Sequence, residues 1–122
     1  MKAIETAKNS GVEAINVPAS AQFYVYRQTI LNGVAEQRIP AIFSSPIESE
    51  EGGLIAYGPR LVQLYRDIKA RQLVRLLRGA KPTDLPIEQP TKFELVINLK
   101  TAAALGITVP ATLVARADEV IE

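Results

Sequence analysis

Residues 52–79 read Gly-Gly-Leu-Ile-Ala-Tyr-Gly-Pro-Arg-Leu-Val-Gln-Leu-Tyr-Arg-Asp-Ile-Lys-Ala-Arg-Gln-Leu-Val-Arg-Leu-Leu-Arg-Gly. The short apolar run Leu54 to Tyr57 fits a buried strand, and Gly58-Pro59 breaks it. Pro59 cannot donate a backbone hydrogen bond, but its fixed φ suits the first turn of a helix. Leu61, Leu64, Tyr65 and Ile68 then recur at helical spacing, and Leu73, Leu76 and Leu77 resume the pattern. Gly79 is a natural stop. The stretch is strand, tight turn, helix. In parallel α/β sheets, ligands sit at such turns, beyond the carboxyl ends of the strands.

Upstream, Lys2 to Lys8 favours helix, with Asn9-Ser10-Gly11 as its stop. Val12 to Val17 reads as a strand ended by Pro18. Ser20 can cap a second helix, on which Phe23, Tyr26, Ile30 and Val34 share one face. Ile39 to Phe43 is a second strand. The link from Ser44 to Glu51 is polar and acidic, and it fits a loop or one helical turn. Strands alternating with helices at these spacings predict an α/β fold, a mostly parallel sheet flanked by helices. Downstream, Pro82, Pro86 and Pro90 make Lys81 to Pro90 an extended connector. Phe93 to Ile97 is a fourth strand. Asn98 can cap a helix from Leu99 to Leu105, which Gly106 ends. Leu113 to Val120 is expected as a last short helix.

The chain has 122 residues, enough for one core, and a net charge of +1. It holds no cysteine and no histidine. Disulfides, thiol nucleophiles, histidine-based triads and the usual zinc sites are therefore excluded. No cofactor is implied. No apolar run approaches the roughly 20 residues a membrane span needs, and the N-terminus shows no signal-peptide pattern. Residues 60–81 are basic, with Asp67 the one acid. That face could bind phosphate or nucleic acid, but no Gly-rich phosphate loop or base-stacking platform accompanies it. It reads as a solvated face, with no nucleic-acid partner.

The run Arg78-Gly-Ala-Lys-Pro-Thr-Asp-Leu-Pro-Ile-Glu-Gln-Pro-Thr-Lys-Phe-Glu-Leu-Val-Ile-Asn-Leu-Lys-Thr-Ala-Ala-Ala-Leu-Gly-Ile closely resembles the C-terminal part of one family. That family is the ABC-transporter solute-binding proteins of tryptophan/tyrosine uptake type. Gly52 to Pro59, Arg38 to Phe43, the helix with Phe23, Arg27 and Ile30, and the ending Arg116 to Glu122 are similar too. The resemblance implies a two-lobed, type I periplasmic-binding-protein architecture that closes on a small solute, a permease partner, and a periplasmic or extracytoplasmic location. A chain complete as it stands would be cytoplasmic, having no export signal. On this reading residues 1–79 are an α/β lobe, 80–91 a hinge-like connector, and 92–122 a strand-helix segment returning toward a first lobe.

Binding residues are expected on the loops after the strands. These are Ser20 and Phe23 after the first, Ser44 and Ser45 after the second, and Tyr57, Gly58 and Arg60 after the third. Each has a plain structural alternative: Ser20 as a helix cap, Phe23 as core, Ser44 and Ser45 as ordinary loop serines. Tyr57 can be buried in the sheet, and Arg60 can be a solvated residue at the helix start. Amino-acid-binding relatives carry an acid after the glycine of the third strand, where this chain has Pro59-Arg60. An anionic or strongly polar solute group is expected there instead. No residues are arranged for catalysis. A homodimer is expected, because Phe93, Leu95 and Ile97, together with Leu99, Leu105, Ile107 and Val109, would otherwise lack partners. The alternative is a stand-alone flavodoxin-like module that binds a partner protein or regulator.

Overall fold

The computed structural model describes residues 2–122. Five strands form one sheet in the order β1 (Ile15–Asn16), β2 (Ala41–Phe43), β3 (Ile55–Gly58), β4 (Glu94–Asn98), β5 (Glu119–Ile121). The first three are parallel, β4 runs antiparallel to β3, and β5 is parallel to β4. The helices are α1 (Lys2–Asn9), α2 (Ala21–Val25), α3 (Arg27–Glu36), α4 (Pro46–Glu50), α5 (Leu61–Leu64), α6 (Ala70–Leu77), α7 (Leu99–Leu105) and α8 (Ala111–Val114). The main core gathers Val17, Leu31, Val34, Ala41, Phe43 and Ala56, with Ile4, Ile15 and Ile30 packed against it. Val96, Ile97 and Ala102 are buried beyond β3.

The parallel arrangement of the first three strands matches the expectation, with shorter strands. Only Ile15 and Asn16 of the run Val12 to Val17 are ladder residues. Val17 still donates to the carbonyl of Ile42 at 2.9 Å. The expected helix after Ser20 is two helices that meet at Tyr26, whose φ of −96° and ψ of 15° leave the helical region. The break resets the helical phase. Ile30 and Val34 therefore reach the core, while Tyr26 stays 58% exposed.

The link after β2 is the helix α4. Its sequence Ser45-Pro46-Ile47-Glu48 has the S-x-x-E spacing of a capping box, with proline at the first helical position. The Ser45 backbone N–H donates to the Glu48 carboxylate at 2.9 Å. The helix over 60–78 also differs from a plain α-helix. The apolar recurrence slips between Ile68 and Leu73, five positions apart, and a π-helical turn over Tyr65–Lys69 takes up the extra residue. The connector holds one 3-10 turn, Pro82–Asp84.

One expectation fails at the C-terminal end. Leu113 to Val120 is not one helix: α8 covers Ala111–Val114, and Glu119–Ile121 is β5. Asp118 makes the switch. Its carboxylate accepts from the Leu95 N–H at 2.8 Å, and its own N–H donates to the Leu95 carbonyl at 2.9 Å. That double contact sets the following residues beside β4. Within residues 92–122, β4 and β5 are strands of this sheet, with α7 and α8 between them. Leu95, Val96 and Ile97 find their partners in it, so the reason given for a homodimer does not hold at that segment.

What leaves the sheet is the stretch between β3 and β4, an arm comprising α5, the π turn, α6 and the connector. No residue from Pro59 to Phe93 is fully buried. Gly58 pairs with Glu94 at the arm's root, so the outgoing and returning segments lie side by side.

Candidate functional site at the carboxyl ends of the parallel strands

The carboxyl ends of β1, β2 and β3 open onto α2, the start of α4 and the turn into α5. Gly58 permits the close approach of the last two. A Cβ on it would stand 1.9 Å from the carbonyl oxygen of Ser44, a distance no side chain can adopt. Ser44 thus contributes backbone that abuts β3. Ser45 is 4% exposed at the N-cap position of α4.

Arg60 follows Pro59 and turns back over the sheet. Its Nε donates to Glu94 of β4 at 2.6 Å, its Nη2 to Glu119 of β5 at 2.6 Å, and its Nη1 to Glu50 of α4. The hydrogen bonds to Glu94 and Glu50 raise the guanidinium pKa above its ordinary value. Glu94 is shifted the other way, held below the usual carboxylate range by hydrogen bonds from Lys92 and Arg60. Three carboxylates already meet the Arg60 charge, so no free cation stands behind the expected preference for an anionic solute. Nearby, Arg27 forks onto Glu51 at 2.8 and 2.9 Å and lies 4.8 Å from the centre of the Tyr24 ring. That fork ties the start of α3 to the end of α4. Glu48 is buried, and desolvation pushes its carboxyl pKa up, opposed by hydrogen bonds from the Ser45 and Ser44 backbone.

Between these elements lies a cleft of about 280 Å³, bordered by Tyr24, Ser45, Ile47, Glu50, Arg60, Leu61, Val62 and Gln63. It brings together two of the seven expected residues, Ser45 and Arg60. Gly58 and Ser44 shape the backbone beneath it. Ser20 is exposed at the N-cap position of α2, where its side chain makes no capping hydrogen bond. Phe23 is 38% exposed rather than core. Tyr57 is not buried in the sheet; it is 56% exposed, with its ring 5.7 Å from that of Phe93. Tyr24, Ile47, Glu50 and Gln63 were not legible as site residues. Only Glu50 carried a signal, its charge within an acidic run. Among the described residues no group of acidic side chains is arranged to hold a metal ion, and no helix is long and apolar enough to cross a membrane.

The sequence model of the family described as "ABC transporter substrate binding protein" matches residues 1–121. The chain belongs to this family. Among solved structures, a conserved domain protein from Vibrio cholerae superposes with a TM-score of 0.88 at 21% identity over 98% of this chain. An ABC domain from Streptococcus pneumoniae, in complex with L-Trp, superposes with a TM-score of 0.83 at 30% identity over 97% of this chain. A ligand-free, open substrate-binding protein with adhesive properties from Clostridium difficile gives 0.60 at 19% identity. This chain spans about 40% of the length of these structures. No curated protein matches it significantly. The five-stranded α/β sheet is thus a portion of the substrate-binding fold of ABC transporters.

Proposed function

We propose that this chain supplies one wall of the solute site in the substrate-binding component of an ABC importer. It would bind a small solute without transforming it, and hand it to a permease on the extracytoplasmic side of the membrane. The observation that carries the reading is the cleft among Tyr24, Ser45, Ile47 and Arg60. It lies where open α/β sheets take their ligands, past the carboxyl ends of parallel strands. Family membership supports the transport role, and the pneumococcal relative holding L-Trp makes amino acids the first solutes to try. Of the seven candidate residues, Ser45 and Arg60 would touch the solute, Gly58 and Ser44 would shape the floor, and Ser20, Phe23 and Tyr57 would form the rim.

The Arg60 cluster would meet the solute as a neutralised, strongly polar surface rather than as a free cation. A site walled on one side encloses less of its ligand than the 70–90% typical of closed pockets, so weak binding is expected from this chain alone. Ligand-observed NMR against a panel of amino acids and other small polar solutes tests the reading. Val62→Arg, placed at a position that is 61% exposed, should fill the cleft and abolish the signals while leaving the fold intact. A panel without a binder, or binding indifferent to Val62→Arg, would defeat it. A stand-alone regulatory module is not favoured by the family match. The expected homodimer stays part of the proposal, and light scattering at several concentrations tests it.

A further inference from the structure

The cleft at the carboxyl ends of the parallel strands has an apolar part and a charged part. Ile47, Leu61 and Val62 give it aliphatic surface, with Tyr24 beside them, and the charged residues of its lining are Glu50 and Arg60. Neither Arg66 nor Lys69 of the arm borders it. The sign of the charge that a solute meets there is therefore set by Glu50, Arg60 and the groups bonded to them.

Those charges do not cancel. Arg60 is bonded to Glu50, Glu94 and Glu119, three carboxylates for one guanidinium. Lys92 reaches the other oxygen of Glu94 at 3.0 Å. Two cations against three anions leave one negative charge in excess. The adjoining pair of Arg27 and Glu51 is balanced and does not alter that sum. Glu50 uses Oε1 on Arg60, and among the described residues no donor meets its Oε2. Arg60 has spent three of its five N–H groups. The remaining two suit a neutral acceptor, whereas a solute carboxylate would be a fourth anion around one guanidinium.

We propose that Glu50 sets the charge preference of this cleft, which takes small amines, solutes with an apolar body and one cationic group, and disfavours those ending in a carboxylate. This rests on the solute reading above and names the class of solute for the same site. The apolar body lies against Ile47, Leu61 and Val62, and the ammonium donates to the free oxygen of Glu50. Arg60 holds Glu50 from its other oxygen, so the carboxylate is fixed before the solute arrives. A half-buried carboxylate meeting an ammonium forms a stronger hydrogen bond than a neutral pair does. The preference is the reverse of the one Arg60 suggests when it is read alone.

Titration of the 122-residue chain with isoamylamine, leucine and isocaproate, followed by ligand-observed NMR, tests the proposal. The three share one branched skeleton and differ in charge. Isoamylamine should bind at least about fivefold more tightly than isocaproate at low salt. Leucine should fall between them, and the gap should narrow as salt rises. Glu50→Gln should erase the gap with an unchanged far-UV circular dichroism spectrum, because it removes the carboxylate and loosens its hold on Arg60. Glu119→Gln removes the same charge from the group outside the cleft's lining and should keep most of the gap. Isocaproate binding as tightly as isoamylamine overturns the proposal, and so does isoamylamine failing to bind. A preference for the amine that survives Glu50→Gln, or that Glu119→Gln erases equally, overturns the assignment to Glu50. In each of these cases the solute reading stands if another solute binds and Val62→Arg abolishes its signals, so the two fail separately.

Discussion

At the scale of single residues, two positions around the cleft carry more structure than their chemistry suggests. Gly58 is required because the Ser44 carbonyl lies where a Cβ would be. Gly58→Ala should lower stability by about 3 kcal/mol or more, since backbone rather than a flexible side chain must move; denaturant unfolding measures it. Glu48 is 2% exposed and accepts the Ser45 N–H. Glu48→Ala leaves that buried N–H unpaired and should cost about 1–3 kcal/mol. Glu48→Gln keeps an acceptor and removes the charge that burial disfavours. The folded carboxyl pKa is raised, so its contribution is full below the unfolded value and is lost as pH rises through the folded one. Glu48→Gln should therefore compare best with the wild type at neutral pH, and stability measured across pH checks the trend. Glycine 58 was legible as a strand terminator. Its need for close approach was not, because Ser44 is distant in sequence and adjacent only in the fold.

Among elements, α7 and the arm's root show how a local signal and a long-range one combine. Asn98 caps α7 through its side-chain oxygen, which accepts the Thr101 N–H at 3.0 Å, and Gly106 ends the helix at a φ of 73°. Both roles were readable from residue type and spacing. The second role of Asn98 was not: its amide donates to the Ser49 carbonyl of α4 at 3.0 Å. Asn98→Ala loses both bonds and should destabilise by about 2–3 kcal/mol, whereas Asn98→Asp keeps the cap and loses the contact to α4. Thermal unfolding of the two variants separates the contributions. At the root, Glu94 has a folded pKa depressed by Lys92 and Arg60. Its stabilisation is present above the unfolded pKa and is lost as pH falls through the folded one. Glu94→Gln should therefore flatten the acid limb of a stability–pH curve relative to the wild type.

For the molecule as a whole, burial divides the chain into a packed sheet and a projecting arm. Leu54, Ala56, Val96 and Ile97 are between 0% and 7% exposed, whereas the arm has no fully buried residue. A cleft of about 420 Å³ between the helix and the connector shows how loosely the arm packs on itself. Sparse buried contacts mean local opening at low free energy. Native-state hydrogen exchange of the monomer should find the amides of α6 far less protected than those of β3 and β4. Equal protection would show that the arm is held as firmly as the sheet.

The sequence by itself determined the α/β class, the three parallel strands, the capped helix after Asn98 and the family. These rest on local residue chemistry: apolar runs of strand length, Gly and Pro at breaks, capping residues, and a long specific stretch from Arg78 to Gly106. The tertiary structure alone decided that β4 and β5 are strands of this sheet, that α2 and α3 break at Tyr26, and that Arg60 is spent on three carboxylates. The physical reason is sequence distance. Arg60 meets Glu50, Glu94 and Glu119, and Asp118 meets Leu95, only after the chain has crossed the sheet and returned. No local pattern records which distant partner a charge or a strand edge will find.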